Sequence, residues 1–393
     1  PIRFITPSIS ASVRSRRWIV GRGSPACCAS SLRPDSPPKS ASSSSSSIAR
    51  STDCTPPAGF AVRLPGAVSV GSVAAFVGVV VAIAMNDWGL PWYLTILIGL
   101  GLGVLVGAWQ GFWVAFIGVP AFIVTLAGML MFRGLNQIVG QSRGIPVDRE
   151  FVNLLAGYLP EVGPFTGYNN LTLLLGLVAV VAVVVLELRG RARRQRLGAA
   201  VPPMWVAVTR LVLVAAVIIV AALLFASGRE GTSFPNAGIL FALIALGYAF
   251  VTRNTSLGRH VYAVGGNRRA AELSGVRSRW TDFFVMANMS TLAAVAGMMY
   301  VARARFAGPQ DGTGWELDAI AAVFIGGAAV AGGIGTVAGS IIGGLVMAVL
   351  TNGLFAIGTG ADWIQIIKGI VLLIAVAIDV INKQQGRFSI IAL

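Results

Sequence analysis

Apolar stretches of bilayer length recur along this chain and constrain its fold more than any other feature. From residue 66 onward they run at about 68–85, 92–109, 111–131, 169–188, 205–226, 236–252, 281–301, 319–335, 337–356 and 362–381. Each is near the roughly 17–25 residues that a helix needs to cross a bilayer. Lipid offers no partner to a backbone N–H or C=O, so such segments must close their hydrogen bonds internally, as helices do. The pattern predicts an all-α, polytopic integral membrane protein with about ten spans.

Composition points the same way. Apolar residues make up 55% of the chain, charged residues only 11%, and the mean hydropathy is +0.79. Soluble domains carry about a quarter charged residues. So sparse a charge cannot cover a water-soluble protein of 393 residues, which argues against a soluble enzyme or a disordered chain. The net charge of +15 would suit a nucleic-acid binder, but its distribution does not. The arginines sit between apolar runs, where they encode topology. Nucleic acid is therefore not an expected partner. The loop 189–196 (RGRARRQR) holds five arginines, and the loop 253–279 holds six against the single acid Glu272. In the loops between, Arg133, Arg143 and Arg149 face Asp148, Glu150 and Glu161, and Arg303 and Arg305 face Asp311, Glu316 and Asp318. Placing the arginine-rich loops and the tail with Lys383 and Arg387 in the cytoplasm satisfies the positive-inside rule.

Residues 1–68 do not match the remainder. They hold all three cysteines, Cys27, Cys28 and Cys54, the serine run Ser42–Ser47 and a cluster of prolines. The segment is rich in Arg and Ser and poor in acids, which is transit-peptide composition. A disordered tail and a shifted reading frame are the other readings. The cysteines lack Cys-x-x-Cys spacing or a nearby His, so no metal site is expected.

Within the spans, the stretch 325–345 reads IGGAAVAGGIGTVAGSIIGGL. Small residues at these spacings either pack helices closely or break a helix along a substrate path. Ionisable groups are few. Lys368, about two turns into the last span, reads as a snorkelling lysine, and Asp362 and Asp379 lie at that span's ends. A proton-coupled transporter needs an acid or histidine relay across the membrane, and none is evident. None of the three lysines completes a Walker A motif. No catalytic residue, cofactor or metal site is predicted, so uphill transport would need a gradient or another polypeptide.

The loop after residue 253 carries a compact helix signature. Gly265 and Gly266 break the preceding chain, Asn267 is a good N-cap, Arg268–Ser274 (RRAAELS) favours helix, and Gly275 supplies a stop. So short a helix does not hold alone in water. It needs the protein's own spans, anionic headgroups or a groove on a soluble partner.

The loop SLGRHVYAVGGNRRAAELSGV (256–276) resembles the cytoplasmic loop of sugar-importing ABC-transporter permeases of the ribose, xylose and arabinose type. Three further stretches agree: SVGSVAAFVG (69–78), GAWQGFWVAFIGVPAFIVTLAGMLMFRG (107–134) and ELDAIAAVFIGGAAVAGGIGTVAGSIIGGLVMAVLTNGL (316–354). The run RGRARRQRLG (189–198) is most similar to the xylose members. The resemblance covers about 69–387, the expected permease domain, in a bacterial inner membrane. It implies a permease homodimer with two ABC ATPase subunits and a periplasmic sugar-binding protein. It also implies alternating access for a monosaccharide, most similar to D-xylose import. Sugar would be delivered to the outer loops 132–168 and 302–318. ATPase docking would fall on Gly265, Gly266, Asn267, Arg268, Arg269, Ala270, Ala271, Glu272, Leu273, Ser274 and Gly275. A sugar needs hydrogen-bonding and aromatic groups, so Trp109, Gln110, Asn136, Asn288 and Asn352 are candidates for its path. Each could equally hydrogen-bond between helices. The family carries two more spans and an acidic residue ahead of SVGS. Here Leu64–Val68 reads LPGAV, so 1–68 is expected to be disordered or mis-framed. A gradient-driven secondary transporter and a non-transporting membrane scaffold are the rival readings.

Overall fold

A computed structural model describes residues 68–160, 168–196, 203–227, 233–328 and 335–391. The expectations for 1–67 lie outside the described residues, as do those for the Lys383 and Arg387 side chains. Among the described residues the chain is all-α, apart from two two-residue strands. The helices are α1 Val70–Asn86, α2 Trp92–Phe112, α3 Ala121–Val139, α4 Arg149–Ala156, α5 Asn170–Arg196, α6 Met204–Ala226, α7 Asn236–Asn254, α8 Ser256–Gly266, α9 Arg268–Leu273, α10 Ser278–Ala304, α11 Trp315–Ile325, α12 Val337–Ala356 and α13 Ala361–Ile391. Among the described residues, seven elements are long and apolar enough to cross a membrane, where about ten spans were expected: α2 with the turn that follows it, α3, α5, α6, α7, α10 and α12.

Two expected spans are redrawn. The stretch 111–131 is not one helix. A π-helical turn, Trp113–Ile117, carries α2 onward, and the chain breaks at Gly118 in the left-handed region (φ 86°). Pro120, which has no N–H to lose, then opens α3. The stretch 319–335 is also not a continuous span. Eleven-residue α11 stops at Gly326–Gly327, with Gly327 at φ 80°. The chain resumes as α12 behind Thr336, whose side chain accepts from the Gly339 N–H at 3.0 Å. The seam between α11 and α12 is nonetheless a close one. A Cβ on Gly343 would lie 1.9 Å from the Ala322 carbonyl oxygen, and one on Gly339 would lie 2.1 Å from that of Gly326. Close packing through small residues therefore holds between α11 and α12, and the helix ends between them.

The core is the α1–α2–α10 group. Thirteen of α1's seventeen residues are buried. On α2, Gly99, Gly103, Gly107 and Gly111 recur every fourth residue and so form one stripe. That stripe lies on α10. Added Cβ atoms would meet Met298 Sδ at 2.7 Å, Ala294 Cβ at 2.6 Å, Ala287 Cα at 2.6 Å and Phe283 Cδ2 at 3.1 Å. From the other side, Gly297 of α10 is pressed on the Ala74 carbonyl. Without a hydrophobic drive between helices in lipid, such close van der Waals contact is what holds them together.

Hydrogen bonds gather the connections at two ends. At one, β1 (Ile145–Pro146) pairs antiparallel with β2 (Phe306–Ala307). Leu159 N–H donates to the Phe234 carbonyl there, and Asn169 N–H to that of Ala226. At the other, α8 and α9 lead into α10, and Phe116 meets Trp280 edge to face. The arginine-rich loop 253–279 is thus at the end opposite the charge-balanced loops. The outer loops are shorter than expected, since 132–139 belongs to α3 and 315–318 to α11.

Candidate functional site: the α8–α9 handle and the polar groups among the spans

Short helices persist only when capped and tethered. Thr255 caps α8, its hydroxyl accepting from the Gly258 N–H at 3.3 Å. Gly265 and Gly266, expected to break the chain ahead of α9, are the last two residues of α8, and the turn falls one residue on, at Asn267. Asn267 is the N-cap as predicted, extended at φ −149°, its Oδ1 accepting from the Ala270 N–H at 3.0 Å. α9 is six residues and ends before Ser274. Gly275 adopts φ 85°. The Gly275 N–H donates to the Glu272 carbonyl and the Val276 N–H to that of Ala271, both at 3.0 Å. This pair of bonds is a Schellman stop.

Side chains tie α9 to its neighbours. The Arg268 guanidinium bridges Glu272 at 3.0 Å and Asp282 of α10 at 2.9 Å. The buried Ser278 hydroxyl donates to Glu272. These bonds from Ser278 and then Arg268 hold the Glu272 carboxyl below the usual carboxylate range. Further back, the Tyr262 hydroxyl of α8 donates to the Gly335 carbonyl at 2.8 Å, just ahead of α12. Only Ala271 of α9 is buried. Leu273 is 86% exposed, at the far end of α9 from Arg268. A groove of about 540 Å³ opens beside α9 between α8 and the start of α10, lined by Leu257, His260, Val261, Arg277, Trp280 and Phe284 among others.

The five sugar-path candidates do not converge. Gln110 is fully buried, exchanging hydrogen bonds with Ser69 at 3.0 and 3.2 Å and packing on Gly128. It holds α1, α2 and α3 together. Trp109 sets its ring edge to face on Phe132, centroids 6.1 Å apart. Asn288 accepts from the Tyr248 hydroxyl and ties α10 to α7. Asn352 is exposed on α12. Asn136 differs. It is 1% exposed, its Nδ2 donates to the Pro309 carbonyl at 3.2 Å, and its Oδ1 has no donor.

Six charged residues that the sequence pattern assigned to the charge-balanced loops lie instead on helices: Arg149 and Glu150 on α4, Arg303 on α10, and Arg133, Glu316 and Asp318, which pair between helices. Arg133, in α3, faces Glu316 of α11 at 3.7 Å. Glu316 is 4% exposed. Asp318 of α11 takes Lys368 of α13 at 2.7 Å. Lys368 is therefore paired. The available signal was a pair of acids opening an apolar run, the mark of a helix's first turn.

Seven helices long and apolar enough to cross a membrane, among the described residues, make a polytopic membrane protein. The comparisons agree. Residues 66–376 match the model of the branched-chain amino acid transport system permease component family, and the chain belongs to that family. It is 39% identical over 320 residues to the xylose transport system permease protein of Haemophilus influenzae, covering 81% of this chain and 82% of that protein. It is 39% identical over 321 residues to the Escherichia coli xylose transport system permease protein, covering 81% and 78%. It is 32% identical over 317 residues to the E. coli ribose import permease protein, covering 81% and 77%. No solved structure matches it. The chain is a multi-pass protein of the bacterial inner membrane and a permease component of a transport system.

Proposed function

We propose that residues 69–387 form the membrane domain of an ATP-driven importer whose sugar is a pentose, D-xylose first. It works as a homodimer with two ATPase subunits and a periplasmic sugar-binding protein. The substrate assignment leans on the two 39% identical relatives named for xylose transport. The observation that carries the mechanism is the build of α9. It is capped at both ends, joined to α10 through Arg268–Asp282 and Ser278–Glu272, and presents Leu273 to solvent. The stretch Gly265–Gly275 is then the ATPase docking segment.

A push on α9 reaches α10 directly and reaches α12 through α8 and the Tyr262–Gly335 bond. Alternating access follows if the docked ATPase favours one arrangement of these helices over the other. The test is pentose uptake into vesicles holding this chain, with and without the ATPase and binding protein. Accumulation only with both partners and ATP supports the importer. Buried Glu316 is the group that a gradient-driven transporter would use. Uptake without the ATPase that follows an imposed H⁺ or Na⁺ gradient would establish that rival.

A further inference from the structure

Helix α11 is held between two parts of the bundle by its own first turn. Asp318 takes Lys368 of α13 at 2.7 Å, a closed pair. Glu316 points the other way, to α3, and its pair with Arg133 is open at 3.7 Å. At that distance no hydrogen bond forms. Glu316 Oε1 is buried without a donor. Asn136 lies three residues beyond Arg133 on α3, hence on the same face. Its amide is held over Pro309, in the loop that leads into α11, and its Oδ1 is likewise buried without a donor. That loop is itself seated tightly, since a Cβ on Gly71 of α1 would lie 2.3 Å from the Gly312 carbonyl oxygen and 3.0 Å from Glu316 Oε1.

Buried acceptors without donors cost on the order of 1–3 kcal/mol each, more than an apolar side chain of the same shape in the same place. The Glu316 oxygen faces a guanidinium that comes no closer than 3.7 Å, and the Asn136 oxygen stands on the same face of α3 as that arginine, which makes a poor structural contact. They match a polyhydroxylated ligand, whose hydroxyls each donate and accept. We propose that Arg133, Asn136 and Glu316 form the point of the translocation path that reads sugar hydroxyls, the guanidinium donating and the two free oxygens accepting. The proposal rests on the sugar-permease reading and adds the residues by which the membrane subunit itself holds its cargo. Entry of sugar supplies the donors that Asn136 and Glu316 lack, and its exit returns Glu316 to the open pair with Arg133.

The test uses the assembled complex, full-length chain with ATPase and binding protein, in vesicles with xylose as probe. The readouts are xylose moved per ATP hydrolysed and the thermal unfolding temperature of the purified chain. Asn136→Leu removes an unpaired acceptor at nearly constant volume, and Glu316→Gln keeps the shape of the side chain without its charge. The expected result is a fall of about tenfold in xylose per ATP for both variants. Asn136→Leu also loses the Nδ2 bond to the Pro309 carbonyl, so Glu316→Gln is the variant expected to unfold no lower than the wild type. An unchanged xylose-to-ATP ratio in both variants overturns the site. So does a fall that tracks a lowered unfolding temperature in both, because that is a packing role. A wild-type complex that hydrolyses ATP yet moves no pentose overturns the underlying permease reading instead, and is recognised by needing no variant.

Discussion

α10 and α6 are both apolar enough to span a bilayer, yet they are packed in opposite ways. Of α10's apolar stretch 39% is buried inside the protein, and of α6's none is. α10 meets α2 along a glycine stripe and α1 through Gly297. α6 meets α5, where a Cβ on Gly176 would lie 2.6 Å from the Ala222 Cβ, and turns Leu213, Val217 and Leu224 outward. Apolarity therefore says that a helix is in the membrane. The spacing of small residues says which helices touch, because lipid tails compete for every large apolar side chain and cannot compete for backbone contact.

The largest effect is expected at the buried seam. A Cβ on Gly297 would stand 2.1 Å from the Ala74 carbonyl oxygen, and one on Gly107 would stand 2.6 Å from Ala287 Cα. Neither obstacle is a side-chain tip that can swing away. Gly297→Val and Gly107→Leu should leave no monodisperse protein in detergent. The comparable Gly134→Leu, where a Cβ meets open space, should leave it intact.

Next in size are the handle variants, which act on coupling and not on the seam. Glu272→Lys sets like charge beside Arg268 and loses the Ser278 bond. Leu273→Asp alters the exposed end of α9. Each should cut sugar-stimulated ATP turnover at least about tenfold, as the loss of a partner-facing anchor does, with little change in unfolding temperature. Asn267→Ala should cost about 1 kcal/mol locally, as N-cap losses do, read as faster hydrogen exchange confined to α9. Normal turnover in both coupling variants would remove α9 from the mechanism.

Much of this was legible from residues alone, and the misses have physical causes. The N-cap Asn267 and the stop Gly275 follow from local dihedral preferences, so a single sequence carries them. The breaks at Gly118–Pro120 and Gly326–Gly327 were written in the residues too, but glycine is also ordinary in spans, and apolar length outweighed it. The α2 glycine stripe needs its partner α10, nearly two hundred positions away, before its spacing means contact. Arg133, Glu316 and Asp318 were read as loop charges because charge in a span is costly. What relieves that cost is pairing between α3, α11 and α13, which is tertiary information. Gln110 and Asn288 were rightly seen as polar groups near spans, yet only the fold tells a helix clasp from a ligand contact.

A smaller effect is expected from pH. The folded-state pKa of Glu272 is depressed, first by the Ser278 hydroxyl and then by Arg268. A depressed carboxyl stabilises the fold above its unfolded value and loses that contribution as pH falls through the folded one. The α9–α10 clasp should thus hold unchanged from roughly pH 5 to 8 and loosen only below the usual carboxylate range. Hydrogen exchange of the α9 amides should show an acid limb in the wild type that Glu272→Gln abolishes.

The smallest effect is expected on α6. Leu213 is 62% exposed. If lipid covers it, Leu213→Ala exchanges one apolar contact for another, and stability should move by less than about 0.5 kcal/mol. Unfolding in detergent and in nanodiscs should agree with the wild type. This variant sharpens the contrast with Gly297 because it also tests what lies over the outward face. A marked loss of stability that appears only at high protein density would mean that protein, not lipid, covers α6. The face that looks loosely packed in one chain would then be a seam completed by a second copy.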